Sequence, residues 1–316
     1  MTTVAFLTYA ADPELNKSDA AIAAALADFD IVVEPVPWRD LASASPLPAM
    51  AVIRSTWDYH LAGTDAFVAA LTSAAVPVFS PPALVVWNAN KALYLPALAD
   101  AGVAIVPTVV AEASMTLADA VEQLGTGLPV VAKPAVSASA RNTFRIESQD
   151  DLVAAAGVVD ADPAAYLVQP FMDEIVTAGE WSLVACDDVV AYAAVKTPKS
   201  GDFRVQEEHG GSTSIVLCDN LPNGLVDAAH RVLAAAHAAS GVADPFLYAR
   251  IDGVVSAETG EFILMELELI EPYLFVAEAA AAQSAAPTPV PAHQSAPAVF
   301  AAAIAARLGA HDAAAL

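Results

Sequence analysis

The sequence of residues 247–272, LYARIDGVVSAETGEFILMELELIEP, predicts two β-strands joined by a tight turn. A three-residue hairpin loop favours a left-handed residue at its third position, and Gly260 holds that position in Glu258-Thr259-Gly260. The register that follows pairs Ala257 with Glu261, Asp252 with Glu266, and Arg250 with Glu268. The turn therefore determines which charged side chains meet across the two strands.

One face of this predicted hairpin is charged and the other is apolar. Because side chains alternate along a strand, Arg250 and the three carboxylates share a face. The opposite face is expected to meet a core and carries Leu247, Ala249, Ile251, Ile263, Met265, Leu267 and Leu269. Opposed Cβ atoms lie about 5 Å apart, and carboxylates that close repel each other unless a cation intervenes.

An all-oxygen set of this kind is typical of a magnesium site, with Asp252, Glu266 and Glu268 as ligands. The alternative is a solvated face with a single cross-strand pair between Arg250 and Glu268. The hairpin alone leaves both interpretations open.

The distribution of charge narrows the class of ligand. A formal net charge of −24 argues against nucleic acid and against an anionic membrane as partner. The chain has only 13 basic residues, and eight of them fall in its middle and late segments. These eight are Lys91, Lys133, Arg141, Arg145, Lys196, Lys199, Arg204 and Arg250. Such a concentration predicts an anion-binding region, although scatter over a solvated surface is the alternative.

The number of cysteines and the length of the apolar runs indicate in which cellular compartment the protein is expected. Cys186 and Cys218 are too few for a disulfide framework. Residues 1–11 have no basic leader and are predicted to form a first strand. No apolar run reaches the roughly 20 residues that cross a bilayer. We therefore expect a reduced, cytoplasmic protein.

Residues 1–85 alternate strand and helix, which predicts a parallel sheet with helices on its faces. Strands are predicted over 4–9, 31–36, 50–54 and 76–79, and helices over 18–29 (capped by Ser18) and 65–75. Ligands bind beyond the carboxyl ends of such strands. The candidates for substrate contact there are Tyr9, Arg54, Ser55, Thr56, Trp57, Asp58 and Tyr59. The alternative is aromatic rings that cover the sheet end, with Arg54 paired to Asp58.

Residues 86–170 carry two candidate phosphate-binding lysines. Asn90 is predicted to cap a helix to Ala101, and a cation in its first turn, Lys91, opposes the helix dipole and is expected to reach an anion. Lys133 ends a predicted strand over 129–133. Its side chain is a candidate for phosphate binding, and the alternative is that it extends into solvent. Further strands are predicted over 104–110 and 166–171. The loop 137–143 is built of small residues that can surround phosphates, but it has no glycine.

Residues 171–316 begin with a hairpin over 181–186 and 189–196. Residues 196–211 concentrate cations and glycines, which predicts a mobile, positively charged flap. A helix over 225–239 carries His230 and His237, for which helix surface is favoured over zinc. The Ala/Pro-rich residues 279–297 are expected to be irregular, and a last helix is predicted over 297–308.

The order of these motifs carries a family resemblance. Walker A, kinase and GxSxG motifs are missing from the sequence. What it has is an Asn-Lys pair, a strand lysine, a small-residue loop, the string YLVQPF, a basic flap, then R-x-D and E-x-E on paired strands. This order resembles the ATP-grasp superfamily of carboxylate–amine ligases over almost the whole chain. The strings RSTWDY, KTPKSGDFRVQ and ELELIEP are most similar to the group with the cyclo-ligase that closes O-ureidoserine to cycloserine. Glutathione synthetase and D-alanine–D-alanine ligase are more distant.

The resemblance implies an α/β (α+β) ATP-grasp fold. An N-terminal parallel-sheet (pre-ATP-grasp) domain would span 1–85. Two α+β subdomains would clamp the nucleotide, a lid over 86–170 and a metal-binding subdomain over 171–316. A homodimer is a further expectation from the family.

The resemblance also implies roles for individual residues. Nucleotide contacts would come from Lys91, Lys133, Ser137, Ser139, Glu180 and Lys196, with adenine on the backbone of Gln169, Pro170 and Phe171. Lys199 and Arg204 would hold the γ-phosphate or the carboxylate, and Arg250 would face the reacting acyl group. Asp252, Glu266 and Glu268 would bind two Mg²⁺ ions, or Mn²⁺.

The implied activity is ATP-dependent C–N bond formation on an amino-acid-like carboxylate through an acyl phosphate, with release of ADP and phosphate. An intramolecular cyclo-ligase and a non-catalytic nucleotide-binding homologue are the alternatives. Two positions depart from the family pattern. Glu268 stands where many members have asparagine, and Tyr273 stands where a small residue is expected and narrows the substrate pocket.

Overall fold

The computed structural model describes residues 1–112, 114–138, 141–199, 210–288 and 290–314, and three sheets organise them. The first sheet is parallel, as predicted, with strand order β2-β1-β3-β4. Its strands are β1 (Thr2–Thr8), β2 (Ile31–Pro37), β3 (Met50–Ile53) and β4 (Val78–Phe79). The helices around it are α1 (Lys17–Leu26), α2 (Tyr59–Ala62) and α3 (Thr64–Ser73).

Two helices, α4 (Pro82–Asn88) and α5 (Lys91–Asp100), lead into the second sheet. This sheet is antiparallel with order β5-β8-β6-β7. Its strands are β5 (Val109–Ala111), β6 (Val130–Pro134), β7 (Phe144–Ile146) and β8 (Tyr166–Pro170). Helices α6 (Leu117–Leu124) and α7 (Gln149–Val159) pack on it and share an apolar core with it.

The third sheet is antiparallel with order β11-β10-β9-β12-β13. Its strands are β9 (Glu180–Cys186), β10 (Val189–Thr197), β11 (Ser212–Leu217), β12 (Tyr248–Val255) and β13 (Phe262–Glu268). The remaining helices are α8 (Glu174–Thr177), α9 (Leu225–Ser240), α10 (Val276–Ala285) and α11 (Ala296–Ala314). None of the helices in the described part of the chain has the length and apolarity that a bilayer crossing requires.

The third sheet lies between two apolar cores. One core joins it to α5 and α9. The other joins its opposite face to α1, α11 and the first sheet. The C-terminal helices therefore pack against the N-terminal region, and α5 packs with the third sheet although it precedes the second in sequence. This packing brings the ends of all three sheets together.

Helix capping was predicted correctly for α5 and incorrectly for α1. The Asn90 side chain accepts a hydrogen bond from Ala92 N (3.0 Å), as expected. In α1, Asn16 is the cap and accepts from Ser18 N and Asp19 N. Ser18 Oγ instead accepts from Val276 N (2.9 Å), the first residue of α10. Ser18 therefore joins two helices that are distant in sequence.

Two other local predictions were wrong. Residues 279–297 were expected to be irregular, but α10 extends to Ala285 because Val276 and Ala279 are buried in the second core. The strand over 104–110 is formed only from Val109 onward. Its first half turns toward β13, where Val106 N donates to Leu264 O (3.1 Å).

The β12–β13 hairpin has the predicted pairs at its charged end, but a bulge produces them. Arg250 lies opposite Glu268 and Asp252 opposite Glu266. At the turn, Ser256 rather than Ala257 pairs with Glu261, and the register shifts after Asp252. The bulge compensates for the longer turn.

The bulge also changes which face two apolar side chains occupy. Ile263 and Met265 were predicted on the face of Leu267, but they pack near Phe171 instead. Phe262 and Leu264 take the core positions. Beyond the bulge, the side-chain alternation is therefore the reverse of the one predicted.

Gly253 allows this bulge, and its replacement by alanine is expected to cost about 3 kcal/mol of unfolding free energy. A Cβ atom there would lie 2.3 Å from Ile263 O and 2.5 Å from Phe262 Cζ. Denaturant unfolding measures the loss. Gly260→Ala is the matched control: its Cβ would meet nothing within 4 Å, so only left-handed strain of about 1 kcal/mol is expected. Equal losses in the two variants would contradict the steric argument.

Candidate active site

A cavity of about 570 Å³ lies where the three sheets meet. It is bounded by the charged end of the β12–β13 hairpin, the ends of β6 and β8, and the loop after β3. Fourteen of the residues predicted for the site line it: Trp57, Tyr59, Lys91, Lys133, Ser137, Gln169, Pro170, Phe171, Glu180, Lys196, Arg250, Asp252, Glu266 and Glu268. Residues from all three predicted regions therefore meet at one cavity.

Arg250 is the centre of the charge network in this cavity. Its Nε and Nη2 atoms lie 2.9–3.1 Å from the carboxylate of Asp252, and Nη2 also contacts Glu268. Lys196 pairs with Glu180 (2.5 Å) and lies 3.6 Å from Asp252. The charged face is therefore a connected set of ion pairs rather than one solvated pair.

These surroundings shift the pKa values of Asp252 and Glu268 in opposite directions. Burial alone would raise the pKa of Asp252, but the charges of Arg250 and Lys196 lower it to about 2. Burial raises the pKa of Glu268 to about 7, and Glu266 and Asp252 add to the rise while Arg250 opposes it. Asp252 is therefore held in its charged form, whereas Glu268 takes up a proton more readily than an ordinary glutamate.

The two phosphate-binding candidates Lys91 and Lys133 differ in their surroundings. Lys91 begins α5, and its Nζ lies 2.9 Å from Glu266 and donates to Ser137 O (3.3 Å). Lys133 extends from β6 into the cavity, where burial lowers its pKa. Within the described ranges, no carboxylate comes within 4.0 Å of its ammonium group. An anionic ligand would supply the partner that Lys133 lacks.

The segment after β8 presents hydrogen-bonding groups at the rim of the cavity. Pro170 has no N–H, and Phe171 N donates to Pro129 O (3.0 Å). Gln169 is buried and its side chain donates to Thr108 Oγ1 (2.9 Å). The next backbone N–H, that of Met172, has no acceptor among the described groups. Met172, a residue that the sequence analysis missed, therefore lines the cavity with a backbone N–H available for a hydrogen bond.

Comparison with known proteins gives two matches that together span much of the chain. Residues 4–79 match the profile of the D-cycloserine synthetase DcsG N-terminal domain, and residues 88–236 match that of the RimK-like ATP-grasp domain. No curated protein sequence matches at a significant level.

Solved structures agree with the second profile. D-cycloserine synthetase DcsG superposes with a TM-score of 0.77 at 23% identity, over 97% of this chain and 99% of that one. D-alanine–D-alanine ligase from Bacillus anthracis, complexed with ATP, gives 0.67 at 16% identity over 99% and 100%. An ATP-grasp RimK domain protein from Sphaerobacter thermophilus gives 0.65 at 16% over 96% and 99%.

The chain has the ATP-grasp fold.

Not every residue predicted for this ATP-grasp site reaches the cavity. Arg54 is 1% exposed, and its Nε donates to Asp19 Oδ1 (2.7 Å) instead of pairing with Asp58. Asp58 accepts from Trp38 Nε1 (2.7 Å). Arg54 is therefore a buried structural cation in this fold: it does not line the cavity as a substrate contact, and the alternative pair with Asp58 is not formed either.

Several other candidates also do not line the cavity. Ser55 and Thr56 are buried at the end of β3, and Tyr9 packs near Trp57 with ring centroids 6.3 Å apart. Lys199 is exposed beyond the cavity wall. The positions of Ser139 and Arg204 lie outside the described residues, as does most of the predicted flap. His237 was expected on the helix surface, but it is partly buried: its ring stacks on Phe246, and its two nitrogens lie 2.7 Å from Val242 O and 2.8 Å from Asp188.

The cavity also contains polar residues that the sequence analysis did not select. They are Asn16, Lys17, Asn88, Thr143, Thr213 and Glu271. Glu271 had a signal, since it ends the string ELELIEP. Thr143 also had a signal, because it ends the small-residue loop 137–143, whereas Asn16, Lys17, Asn88 and Thr213 belong to none of the motifs identified in the sequence.

The chain after β13, residues 269–274, is held by side chains from the rest of the fold; we call it the site strap. Each of its six backbone carbonyls accepts a hydrogen bond at 2.5–3.1 Å. The donors, in order from Leu269 to Leu274, are Ser80, Tyr248, Trp57, Arg54, Arg250 and Tyr192. The strap is irregular, yet its backbone acceptors are satisfied and its position is fixed.

The carboxylates of this ATP-grasp site fit a hard divalent cation only in part. Glu266 and Glu268 present side chains that are 28% and 27% exposed to the cavity. Asp252 is 4% exposed, and its oxygens accept from Arg250 and Ser182. In the part of the chain that is described, no three acidic, His or Cys side chains already surround a common metal position. Each of the three carboxylates is already paired with a cation: Glu266 with Lys91, Glu268 with Arg250, and Asp252 with Arg250 and Lys196.

Proposed function

We propose that this protein is an ATP-dependent ligase that forms a C–N bond from an amino-acid-like carboxylate and an amine. The observation that carries the proposal is the convergence of basic side chains, among them Lys91, Lys133, Lys196 and Arg250, with the carboxylates of Asp252, Glu266 and Glu268 in a single cavity of the ATP-grasp fold. The matches to D-cycloserine synthetase and to D-alanine–D-alanine ligase complexed with ATP support it.

The positive side chains have a clear physical role in such a reaction. A carboxylate that attacks a triphosphate brings two anions together, so the site must neutralise charge and align the groups. Lys91, Lys133 and Lys196 would do this at the phosphates. The resulting acyl phosphate would accept the amine through a tetrahedral oxyanion, and Arg250 is the cation proposed to stabilise it.

Asp252, Glu266 and Glu268 would hold the metal, Mg²⁺ or Mn²⁺. When bound, the metal would neutralise charge on the phosphate oxygens. The ion pairs described above have a second consequence. Lys91 contacts Glu266 and Arg250 contacts Asp252, and each cation lowers the pKa of its partner, so these two carboxylates are charged and oriented before the metal binds.

An intramolecular cyclo-ligase is the second candidate. The match of residues 4–79 to the N-terminal domain of D-cycloserine synthetase favours it, since the candidate substrate residues Trp57 and Tyr59 lie in this region. Tyr273 narrows the same part of the cavity and would limit the size of its substrate.

The experiment that tests the proposal is ADP and phosphate release with Mg-ATP, over a panel of amino acids offered singly and in pairs. Release that needs an amino acid plus an amine would identify an intermolecular ligase. Release with one compound alone would favour the cyclo-ligase. ATP binding with no turnover over a broad panel would contradict both and favour a non-catalytic homologue.

Lys133→Met is expected to raise the KM for ATP by about 10- to 100-fold, the value of one charge-assisted hydrogen bond to phosphate. Because Lys133 has no carboxylate partner among the described residues, its removal leaves no unpaired buried charge and the unfolding free energy should stay unchanged. Steady-state kinetics against ATP provides the measurement. Arg231→Met, at an exposed position of α9, is the control. Equal KM values for the two variants would exclude a phosphate contact at Lys133.

A further inference from the structure

Glu271 is a carboxylate in the cavity that the proposed reaction does not use. It lies on the site strap, three residues after Glu268, and lines the cavity on the side of the first domain. Within the described residues, no lysine, arginine or histidine comes within 4.0 Å of its carboxylate. Burial raises its pKa to about 8, and the charge of Glu268 adds to the rise. Without a ligand the group therefore keeps its proton more readily than an ordinary glutamate, with Tyr59 as a hydrogen-bond partner, and a bound cation would favour its charged form.

The fold holds this carboxylate in a fixed position. The carbonyl of Glu271 accepts from Trp57 Nε1 (3.0 Å), and that of Pro272 accepts from Arg54 Nη2 (3.0 Å). On the other side, Tyr273 O accepts from Arg250 Nη1 (3.1 Å). Donors from the first sheet and from the third sheet thus hold the same few residues. A group fixed in this way loses little conformational freedom when a ligand binds.

The walls near Glu271 are aromatic. Trp57, Tyr59, Tyr273 and Phe275 line the same cavity, and the rings of Tyr273 and Phe275 meet edge to face with centroids 5.0 Å apart. Aromatic faces attract organic cations, and a carboxylate among them adds a charge-assisted hydrogen bond. The oxygen ligands that a metal prefers, those of Asp252, Glu266 and Glu268, lie on the β12–β13 hairpin of the same cavity rather than among these rings. The surroundings therefore favour an ammonium group over a metal.

We propose that Glu271 binds the ammonium group of the amino-acid-like substrate. The assignment rests on the proposed function, since it places the amine end of the substrate at the site strap and its carboxylate toward Arg250 and the lysines. It also defines the substrate class: compounds with a free, protonated amine bind, and N-acylated compounds do not.

Calorimetric titration of the full-length protein tests this, with Mg²⁺ and a non-hydrolysable ATP analogue present. The probes are glycine, both enantiomers of alanine and serine, and the N-acetyl derivative of each. At least one free amino acid is expected to bind, its N-acetyl derivative is expected to bind at least about tenfold more weakly, and Glu271→Gln is expected to weaken it by a similar factor. Glu258→Gln, on the exposed hairpin turn, is the matched control and should bind as the unaltered protein does.

The proposal is overturned if N-acetyl derivatives bind equally well, if Glu271→Gln binds unchanged, or if none of the free amino acids binds at 50 mM or below (roughly the limit of a weak but specific site). Weaker Mg²⁺ binding in Glu271→Gln without any change for amines would assign the residue to the metal and also overturn it. Failure of the ligase proposal has a different signature: amines would bind in a Glu271-dependent way while no ADP forms. The two proposals can therefore fail separately.

Discussion

Replacing Glu266 by glutamine is expected to lower ATP-dependent phosphate release by about a thousandfold. Glu266 is the proposed metal ligand with the most accessible carboxylate, and its charged partner is Lys91 at 2.9 Å. Glutamine keeps the shape of the side chain but removes the charge that a divalent cation requires. Loss of a catalytic metal removes several kcal/mol of transition-state stabilisation, and each 1.36 kcal/mol corresponds to about a factor of ten in rate.

The same variant should remain folded, because Glu266 is 28% exposed and glutamine can still accept a hydrogen bond from the ammonium group of Lys91. Its residual activity should require a higher Mg²⁺ concentration, which a titration of rate against Mg²⁺ measures. Glu261→Gln is the control, at an exposed position of the same hairpin. Turnover and Mg²⁺ dependence equal to those of the unaltered protein would refute the metal assignment.

Replacing Asp19 by alanine is expected to lower the free energy of unfolding by about 3–5 kcal/mol. The Asp19 and Arg54 side chains are 0% and 1% exposed, and their 2.7 Å ion pair is among the most buried charges of the described chain. Without Asp19, the guanidinium stays buried with the Pro272 carbonyl and the Tyr248 ring as its remaining partners. An uncompensated buried charge is far more costly than a missing surface pair.

Two comparison variants make this second prediction specific. The double variant Asp19→Leu with Arg54→Met removes both charges and should recover much of the lost stability, because apolar replacement of a buried pair is often neutral. Glu147→Gln removes one partner of an ion pair in which Glu147 is 59% exposed, and should cost less than about 1 kcal/mol. Denaturant unfolding of the three variants gives the values. A loss of under about 1 kcal/mol for Asp19→Ala would contradict the buried-charge argument.

Arg54 and the β12–β13 hairpin show which features could be predicted from the sequence and which could not. The hairpin pairs were predictable because the two strands are adjacent and their alternation is local. The bulge was not, since it depends on the close approach of Gly253 to Ile263 O and Phe262. Two deviations from the predicted hairpin, a longer turn and a bulge, cancel at Asp252 and Glu266 but not at Ile263 and Met265.

The partner of Arg54 depended on residues far from it in sequence. A four-residue separation suggested Asp58, whereas the observed partner, Asp19, lies on α1. A parallel sheet brings the loop after β3 beside the helix after β1, and only the folded chain sets their distance. The same holds for Glu271, whose position depends on Trp57, Arg54 and Arg250, which donate to the backbone carbonyls of residues 271, 272 and 273 respectively.

The sequence by itself determined the type and order of the main elements, the cap at Asn90, and the charged face of the hairpin. These features depend on the periodicity and spacing of residues that are close to one another in the sequence, so a short stretch of sequence is enough to predict them. Tertiary structure decided which of the candidates share a cavity, which cation is buried as a structural pair, and which carboxylate is left without a counterion. Those properties depend on distances between residues tens to hundreds of positions apart, and such distances are set by how the three sheets pack against shared cores.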